Sequence, residues 1–173
     1  MSPLDQIAAA ADDQSERTMS VLMTPDMANF SGNVHGGTIL KLLDQVAYAC
    51  ASRFSGSYVV TLSVDKVNFK EPIHVGELVT FLASVNHVGR TSMEIGIRVE
   101  AQNIQKRTVR HTNSCYFTMV AVDENGKPKQ IPALNLDNDW KRCRFEAAEQ
   151  RKVARLQENH HPSCSIYKKA SHS

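Results

Sequence analysis

The feature that most constrains the fold is a helical segment, from Thr38 to about Phe54, that is apolar around most of its circumference. Its apolar residues are Ile39, Leu40, Leu42, Leu43, Val46, Ala47, Ala49, Cys50 and Ala51. A helix with so wide an apolar surface must be covered by other elements on nearly every side. The segment is too short, and too often interrupted by polar side chains, to span a bilayer. We therefore predict a central helix buried inside a protein domain.

Five strand-like stretches can supply the cover. They are rich in Val, Ile, Thr, Phe and Tyr, and comprise Thr18–Met23, Tyr58–Phe69, Glu77–Val88, Thr91–Ile104 and Thr108–Asp123. Short links, such as the Pro72–Gly76 turn, favour antiparallel neighbours, because a parallel crossover needs about a dozen residues or more. One buried helix and a five-stranded antiparallel sheet make an α+β fold.

The two ends of the chain differ from this central part. Residues 1–16 are polar or Ala-rich and predict a flexible leader, so that the main domain spans residues 17–136. Helical periodicity returns from Asp139 to Glu158 and predicts a C-terminal helix within residues 137–158. Residues 159–173 show no periodicity, which predicts a disordered tail.

Composition argues against several classes of partner. Twenty Lys and Arg residues against 18 Asp and Glu residues leave a net charge of +2, without the long basic run typical of a nucleic-acid surface. The four cysteines lie far apart in the sequence, and we see no secretory signal. We therefore expect reduced thiols and a cytoplasmic protein that binds neither nucleic acid nor membrane.

A glycine pair, Gly36 and Gly37, directly precedes the predicted central helix. Free backbone N–H groups at the positive end of a helix can stabilise an anion or an oxyanion. The pair could instead be a flexible turn that lets the helix pack closely. Earlier in the same loop, Asn29 could take part in chemistry, but an isolated loop Asn is most often a turn residue or a cap.

Asp44 is the only acidic residue of the central helix, and two interpretations are open. On a stripe with Leu40 and Ala47 it would face an interior or an interface, where a carboxylate with a perturbed pKa can act as a base. Beside Lys41 and Gln45 it could equally lie on a solvated strip.

The spacing of Gly37 and Asp44 constrains any shared site. Seven residues separate them, so they lie on one helix face but about 10 Å apart along the axis. A single straight helix cannot hold both against one carbonyl group, whereas two antiparallel helices in a dimer could bring Gly37 of one chain towards Asp44 of the other. Other chemistry has less support, because the histidines lack metal-ligand spacing and no phosphate-binding glycine motif is present.

These residues form a motif that resembles the cytosolic acyl-CoA hydrolase group of the hotdog-fold thioesterases. The motif is Asn29-x-x-Gly32-x-Val34-His35-Gly36-Gly37, followed seven residues later by Asp44. The similarity extends over roughly residues 18–158. Its other segments are Val60–Asp65, Phe69-x-x-Pro72-x-x-x-Gly76, Thr91–Glu94 and Ala147–Val153.

The resemblance implies a hotdog fold, in which the antiparallel sheet wraps around the long helix and a C-terminal helix follows. It implies a dimer as the smallest active unit and a trimer of dimers, a hexamer, as the common assembly. The implied reaction is hydrolysis of fatty acyl-CoA to free fatty acid and CoA. CoA arrives as part of the substrate, so neither a metal nor another cofactor is expected.

The resemblance also implies roles for individual residues. Asn29 and Asp44 match the catalytic pair, contributed across the dimer interface, and the Gly37 N–H would stabilise the oxyanion. Asp44 could act as a general base or as the nucleophile. The expected CoA-binding residues are His35, Gly36, Leu62, Ser63, Val64, Thr91, Ser92, Met93 and Arg151. Of these, Arg151 on the last helix would bind a phosphate group of CoA, and Lys152 or Arg155 could bind it instead. The rival interpretations are a non-catalytic acyl-CoA sensor with the same groove and a hotdog hydratase, whose Asp–His motif we do not find.

Overall fold

A computed structural model of the protein describes residues 14–65 and 67–158. The central helix, α1 (Gly36–Ser55), begins two residues before its predicted start and ends one residue after its predicted end. His35 caps its N-terminus, and Gly56 ends it in the left-handed conformation (φ 62°) that glycine adopts without steric cost. The buried face of α1 consists of Ile39, Leu43, Val46, Ala47, Cys50 and Ala51.

The five predicted strands form one sheet, and every neighbouring pair is antiparallel. The strands are β1 (Glu16–Leu22), β2 (Tyr58–Val64), β3 (Leu78–Val88), β4 (Ser92–Asn103) and β5 (Thr108–Val122). Alternate side chains of β3, β4 and β5 face α1 and form a core with it, whose largest members include Phe81, Phe117, Met93, Ile95 and Met119. The predicted α+β fold is confirmed.

The order of the strands differs from the order that short links predict. The sheet runs β1-β3-β4-β5-β2, so β2 pairs with β5 rather than with its neighbour in sequence, β3. β2 ends at Val64, well before the predicted end at Phe69, after a register shift between Thr61 and Ser63. The connection therefore spans residues 65–77, which is long enough to cross the other strands.

The first described residues, Gln14 and Ser15, form a turn that leads directly into the sheet. β1 begins at Glu16, and Ser15 is buried, with its carbonyl oxygen accepting a hydrogen bond from the Val85 N–H (2.8 Å). Glu16, predicted as the last residue of the leader, is thus the first residue of β1, and the division of the chain into leader, main domain, helix and tail stays a prediction. Its other residues, 1–13, and the predicted tail, 159–173, lie outside the described residues.

The C-terminal helix, α2 (Asp139–Glu158), packs on the face of the sheet opposite α1. The Phe145 ring stacks on His87 of β3 with 4.7 Å between ring centroids. Glu94 of β4 has a side chain only 2% exposed, and it binds Arg151 (2.6 Å) and Arg155 (3.0 Å) of α2. Along the described chain, no helix is long and apolar enough to cross a membrane.

The contacts of Glu94 predict its contribution to stability. Glu94→Gln removes the buried negative charge between two arginines and should lower the free energy of unfolding by about 3 kcal/mol. Glu100→Gln, on the same strand, is the matched control, because Glu100 pairs with Arg98, whose side chain is 51% exposed. Urea unfolding should give a loss below about 1 kcal/mol for this control. Equal losses for the two variants would contradict a structural role for the Glu94 cluster.

Candidate active site

Asn29 lies in the loop before α1, and its side-chain oxygen holds that loop together. Oδ1 accepts hydrogen bonds from the backbone N–H of Ser31 (2.9 Å) and of Asn33 (3.2 Å). These two donors fix which end of the amide is oxygen, so the Nδ2 group must point away from them. Nδ2 has no hydrogen-bond acceptor within residues 14–65 and 67–158. Asn29 is thus a turn residue, as one interpretation of the sequence has it, and still offers a donor to a ligand.

The N-terminus of α1 differs in one respect from the expected oxyanion site. The Gly37 N–H donates to Nδ1 of His35 (3.0 Å), so this donor is occupied by the side chain that caps the helix. Because Nδ1 accepts, the imidazole is in the tautomer that carries its proton on Nε2. The Gly36 N–H has no such acceptor within the described chain. Sequence reasoning missed the occupation of Gly37, since the motif shows which groups are near but not which are already paired.

Asp44 is exposed in the single chain and lies beside β2, the edge strand of the sheet. Its Oδ1 accepts a hydrogen bond of 2.7 Å from the Thr61 hydroxyl of β2. Thr61 was missed by sequence reasoning, although it stands inside the segment Val60–Asp65 that carries the resemblance. The bond restrains the carboxylate, and Oδ2 has no hydrogen-bond partner within the described residues; Asp44 lines a depression together with Tyr48 and Tyr58.

A groove of about 250 Å³ opens between the ends of β2 and β4 and helix α2. Four of the predicted CoA-binding residues, Leu62, Ser63, Ser92 and Met93, line it together with Lys152 and Arg155. Burial, and then the positive charge of Lys152, lower the pKa of His87 in the groove wall, so His87 is neutral at pH 7. The groove therefore owes its positive charge to α2.

Val64 and Thr91 take no part in this groove. Val64 is exposed at the end of β2, where the strand leaves the sheet. Thr91 precedes β4, and its carbonyl oxygen accepts a hydrogen bond from the Ala121 N–H (2.9 Å). Both are neighbours of groove residues in sequence, but Val64 is the last residue of β2 and Thr91 precedes β4, so neither is among the residues that line the groove.

Arg151 does not have the free guanidinium that a phosphate ligand needs. It binds Glu94 through Nε and Nη2, and its guanidinium lies over the Tyr116 ring, 3.7 Å from the centroid. Arg155 is paired with Asp65 (2.7 Å) and with Glu94. Lys152 is exposed and has no ion-pair partner within the described residues. As a candidate phosphate ligand, Lys152, which the sequence offered as an alternative to Arg151, is thus favoured by its unpaired charge.

The chain is similar in sequence to a known family and to known proteins. The profile of the thioesterase superfamily matches residues 31–108, which include the Gly36-Gly37 pair, Asp44 and Thr61. Protein VdlD of Helicobacter pylori is 52% identical over 143 residues, 83% of this chain and 82% of that protein. Acyl-coenzyme A thioesterase 11 of Mus musculus is 32% identical over 144 residues, which are 83% of this chain but only 24% of that protein.

Solved structures agree with these sequence matches. A hexameric acyl-CoA thioesterase without ligand is 34% identical, with a TM-score of 0.83 over 87% of this chain and 96% of that one. The chain belongs to the hotdog-fold acyl-CoA thioesterases. An acyl-CoA hydrolase from Staphylococcus aureus, in complex with butyryl-CoA and CoA, is 28% identical, with a TM-score of 0.75 over 84% of this chain and 92% of that one.

As a thioesterase, the protein has to activate a nucleophile, and its cysteines are poor candidates. Burial raises the pKa of the Cys115 thiol to about 12, so it carries almost no thiolate at neutral pH. The other free cysteines of the described chain are Cys50, which is buried, and Cys143, which is exposed on α2. The described part of the chain also contains no cluster of three His, Cys, Asp or Glu side chains that could hold a metal ion. The expectation that no metal or cofactor is needed stays a prediction.

Proposed function

We propose that this thioesterase hydrolyses fatty acyl-CoA to free fatty acid and CoA, in a site that two copies of the chain share. The observation that carries the proposal is the open face of α1. Leu40 (41% exposed) and Tyr48 (39% exposed) flank Asp44 on this face, and the Thr61 hydroxyl already orients the carboxylate. A reactive oxygen beside apolar side chains suits a thioester whose acyl chain is also apolar.

In the proposed mechanism Asp44 acts through Oδ2. It either removes a proton from a water molecule, whose oxygen then attacks the thioester carbonyl, or attacks the carbonyl itself to form an acyl-enzyme that water hydrolyses. In both routes a C–O bond forms, the C–S bond breaks, and the CoA thiolate leaves and is protonated. The Asn29 Nδ2–H orients the water or the carbonyl.

The carbonyl oxygen needs a donor at the N-terminus of α1. The positive end of the helix favours the negative charge that develops there. The Gly37 N–H becomes available when the substrate oxygen replaces Nδ1 of His35, and the Gly36 N–H is adjacent. We assign His35, like the two glycines, to the site that binds the carbonyl oxygen, because its ring controls access to the Gly37 N–H.

A second copy of the chain would cover the open face. β2 is an edge strand with a free row of backbone groups, and six of its seven residues are exposed. Its exposed apolar residues are Tyr58, Val60, Leu62 and Val64. An apolar edge of this kind favours pairing with another strand. The resulting dimer would put Gly37 of one chain near Asp44 of the other, and three dimers would give a hexamer, as in the similar thioesterases described as hexameric.

The rival function is that of an acyl-CoA sensor. A binding protein has no need of a carboxylate held by a hydroxyl at 2.7 Å, and this favours the enzyme. The cytoplasmic location stays a prediction.

Release of CoA tests the proposed activity. Purified protein is incubated with acyl-CoAs from acetyl to palmitoyl, and free thiol is measured. Long chains should be turned over with the highest kcat/KM, because the exposed side chains flanking Asp44 are apolar. Binding without release of CoA would support the sensor.

Asp44→Asn should lower kcat by about 10²–10⁴-fold with the oligomer intact, and near-normal turnover would contradict the catalytic role.

Mixed oligomers test whether the site is shared. Asn29→Ala and Asp44→Ala chains are each expected to be inactive. In a mixed dimer one site carries both changes and the other carries neither. Random exchange of subunits should therefore restore about a quarter of wild-type activity if the sites act independently. Mixed dimers confirmed by mass spectrometry but inactive would place both residues in a site within one chain.

Lys152 can be tested as the phosphate ligand of the groove. Lys152→Ala should raise KM for acyl-CoA severalfold without changing kcat, because a phosphate contact on the nucleotide is made equally in the ground and transition states. The acyl-pantetheine thioester, which lacks the nucleotide, is the control substrate, and its KM should not change. An equal rise in KM for both thioesters would mean that the lysine acts elsewhere.

A further inference from the structure

We infer that His74 is a positioning residue for Asn29 and acts on it through Asn33. The inference rests on the proposed function, in which Asn29 is catalytic. It concerns a histidine that lies between β2 and β3, outside the catalytic motif.

The loop that carries Asn29 has little apolar packing of its own. Of residues 29–35 only Val34 is buried, and the side chain of Phe30 is fully exposed. Hydrogen bonds must therefore set the position of the loop. They are local at Asn29, whose N–H donates to the Asn33 carbonyl oxygen (2.7 Å) and whose Oδ1 accepts from the Asn33 N–H (3.2 Å). Asn33 thus contacts Asn29 through both of its backbone groups.

The turn that contains His74 anchors Asn33 to the rest of the fold. Asn33 forms an antiparallel bridge with His74, and the Val34 N–H donates to the Ile73 carbonyl oxygen (2.8 Å). The side chains add a direct bond, because Nδ1 of His74 lies 2.9 Å from Oδ1 of Asn33. In this bond Nδ1 carries the proton and donates. The series His74, Asn33, Asn29 is therefore continuous from the turn to the catalytic amide.

A buried carboxylate fixes His74 in turn. Glu77, with a side chain 6% exposed, accepts the His74 N–H at Oε2 (2.8 Å), and the same oxygen binds Arg110 of β5 (2.6 Å). Gly76 makes the turn possible with a φ of 86°. Glu77 and Arg110 neutralise each other, so this pair is a support rather than a ligand site. The support matters because a small displacement of a catalytic group lowers the rate far more than it lowers substrate binding.

The test compares His74→Ala with His74→Asn, whose amide can replace Nδ1 as a donor to Asn33. His111→Ala is the matched control, because His111 also bonds one side chain, Ser114 (2.9 Å), but lies apart from the loop. Size-exclusion chromatography first establishes that each oligomer is intact. His74→Ala should speed amide hydrogen exchange at Ser31 and Asn33 and lower kcat about tenfold with KM nearly unchanged. His74→Asn should restore both, and His111→Ala should alter neither.

The same change in the Asn29→Ala background decides whether His74 acts through Asn29. There His74→Ala should cause no further loss of kcat, because the positioned group is gone. A further tenfold loss, or unchanged exchange at Ser31 and Asn33 in His74→Ala, would overturn the inference. If exchange rises but kcat does not fall while Asn29→Ala is impaired, the inference is also overturned. Full activity of Asn29→Ala itself would overturn the catalytic role of Asn29, and the positioning role with it, while hydrolysis by Asp44 would stand.

Discussion

The packing of α1 against a single sheet determines most of the structure. The sheet covers the side of α1 that holds Leu43 and Val46, and no other described element covers the opposite side, where Leu40 and Tyr48 stay partly exposed. A helix apolar nearly all round is therefore half covered by its own chain, and in the proposed dimer a second copy would cover the rest. Asp44 lies in that open stripe, so burial of the stripe also buries the carboxylate. The Thr61 hydroxyl gives it one hydrogen bond in advance, which reduces the cost of removing it from water.

The loop before α1 solves a different problem, because it must hold polar groups rigidly without a core. Asn29 serves this purpose with its oxygen and leaves its nitrogen free, so structural and catalytic roles are compatible in one side chain. His35 has the opposite arrangement, since its ring nitrogen occupies the Gly37 N–H, which the proposed mechanism needs as a donor. A helix N-terminus without any acceptor would leave its donors to water. The cap thus stabilises the free protein at the atom where the substrate oxygen would bind.

Much of this could be predicted from the sequence, and the exceptions have physical reasons. The spacing of apolar residues and the residue types predicted α1, α2 and all five strands, because hydrophobic patterning is a local signal. Strand order is not local, and the predicted end of β2 at Phe69 hid the long connection that separates it from β3. The site residues divide in the same way. Asn29 and Asp44 belong to a local sequence motif, whereas the hydrogen bond from Thr61 to Asp44 joins two different elements. Pairing of donors and charges depends on tertiary structure, which no spacing along the chain reveals.

Neighbouring positions on α2 illustrate that last point. Arg151 and Arg155 are four residues apart, so they share one helix face, and that face lies on Glu94. The planar, forked guanidinium suits this use, since it can bind a carboxylate with two donors and stack on Tyr116 at once. Lys152 is rotated by about 100° from Arg151 around the helix, towards the groove. The two arginines and the two carboxylates, Glu94 and Asp65, cancel in charge, so their cluster docks the helix without attracting an anion. An unpaired cation attracts a phosphate more strongly than a paired one, and this difference is why we propose Lys152 rather than Arg151 as the phosphate ligand of the groove.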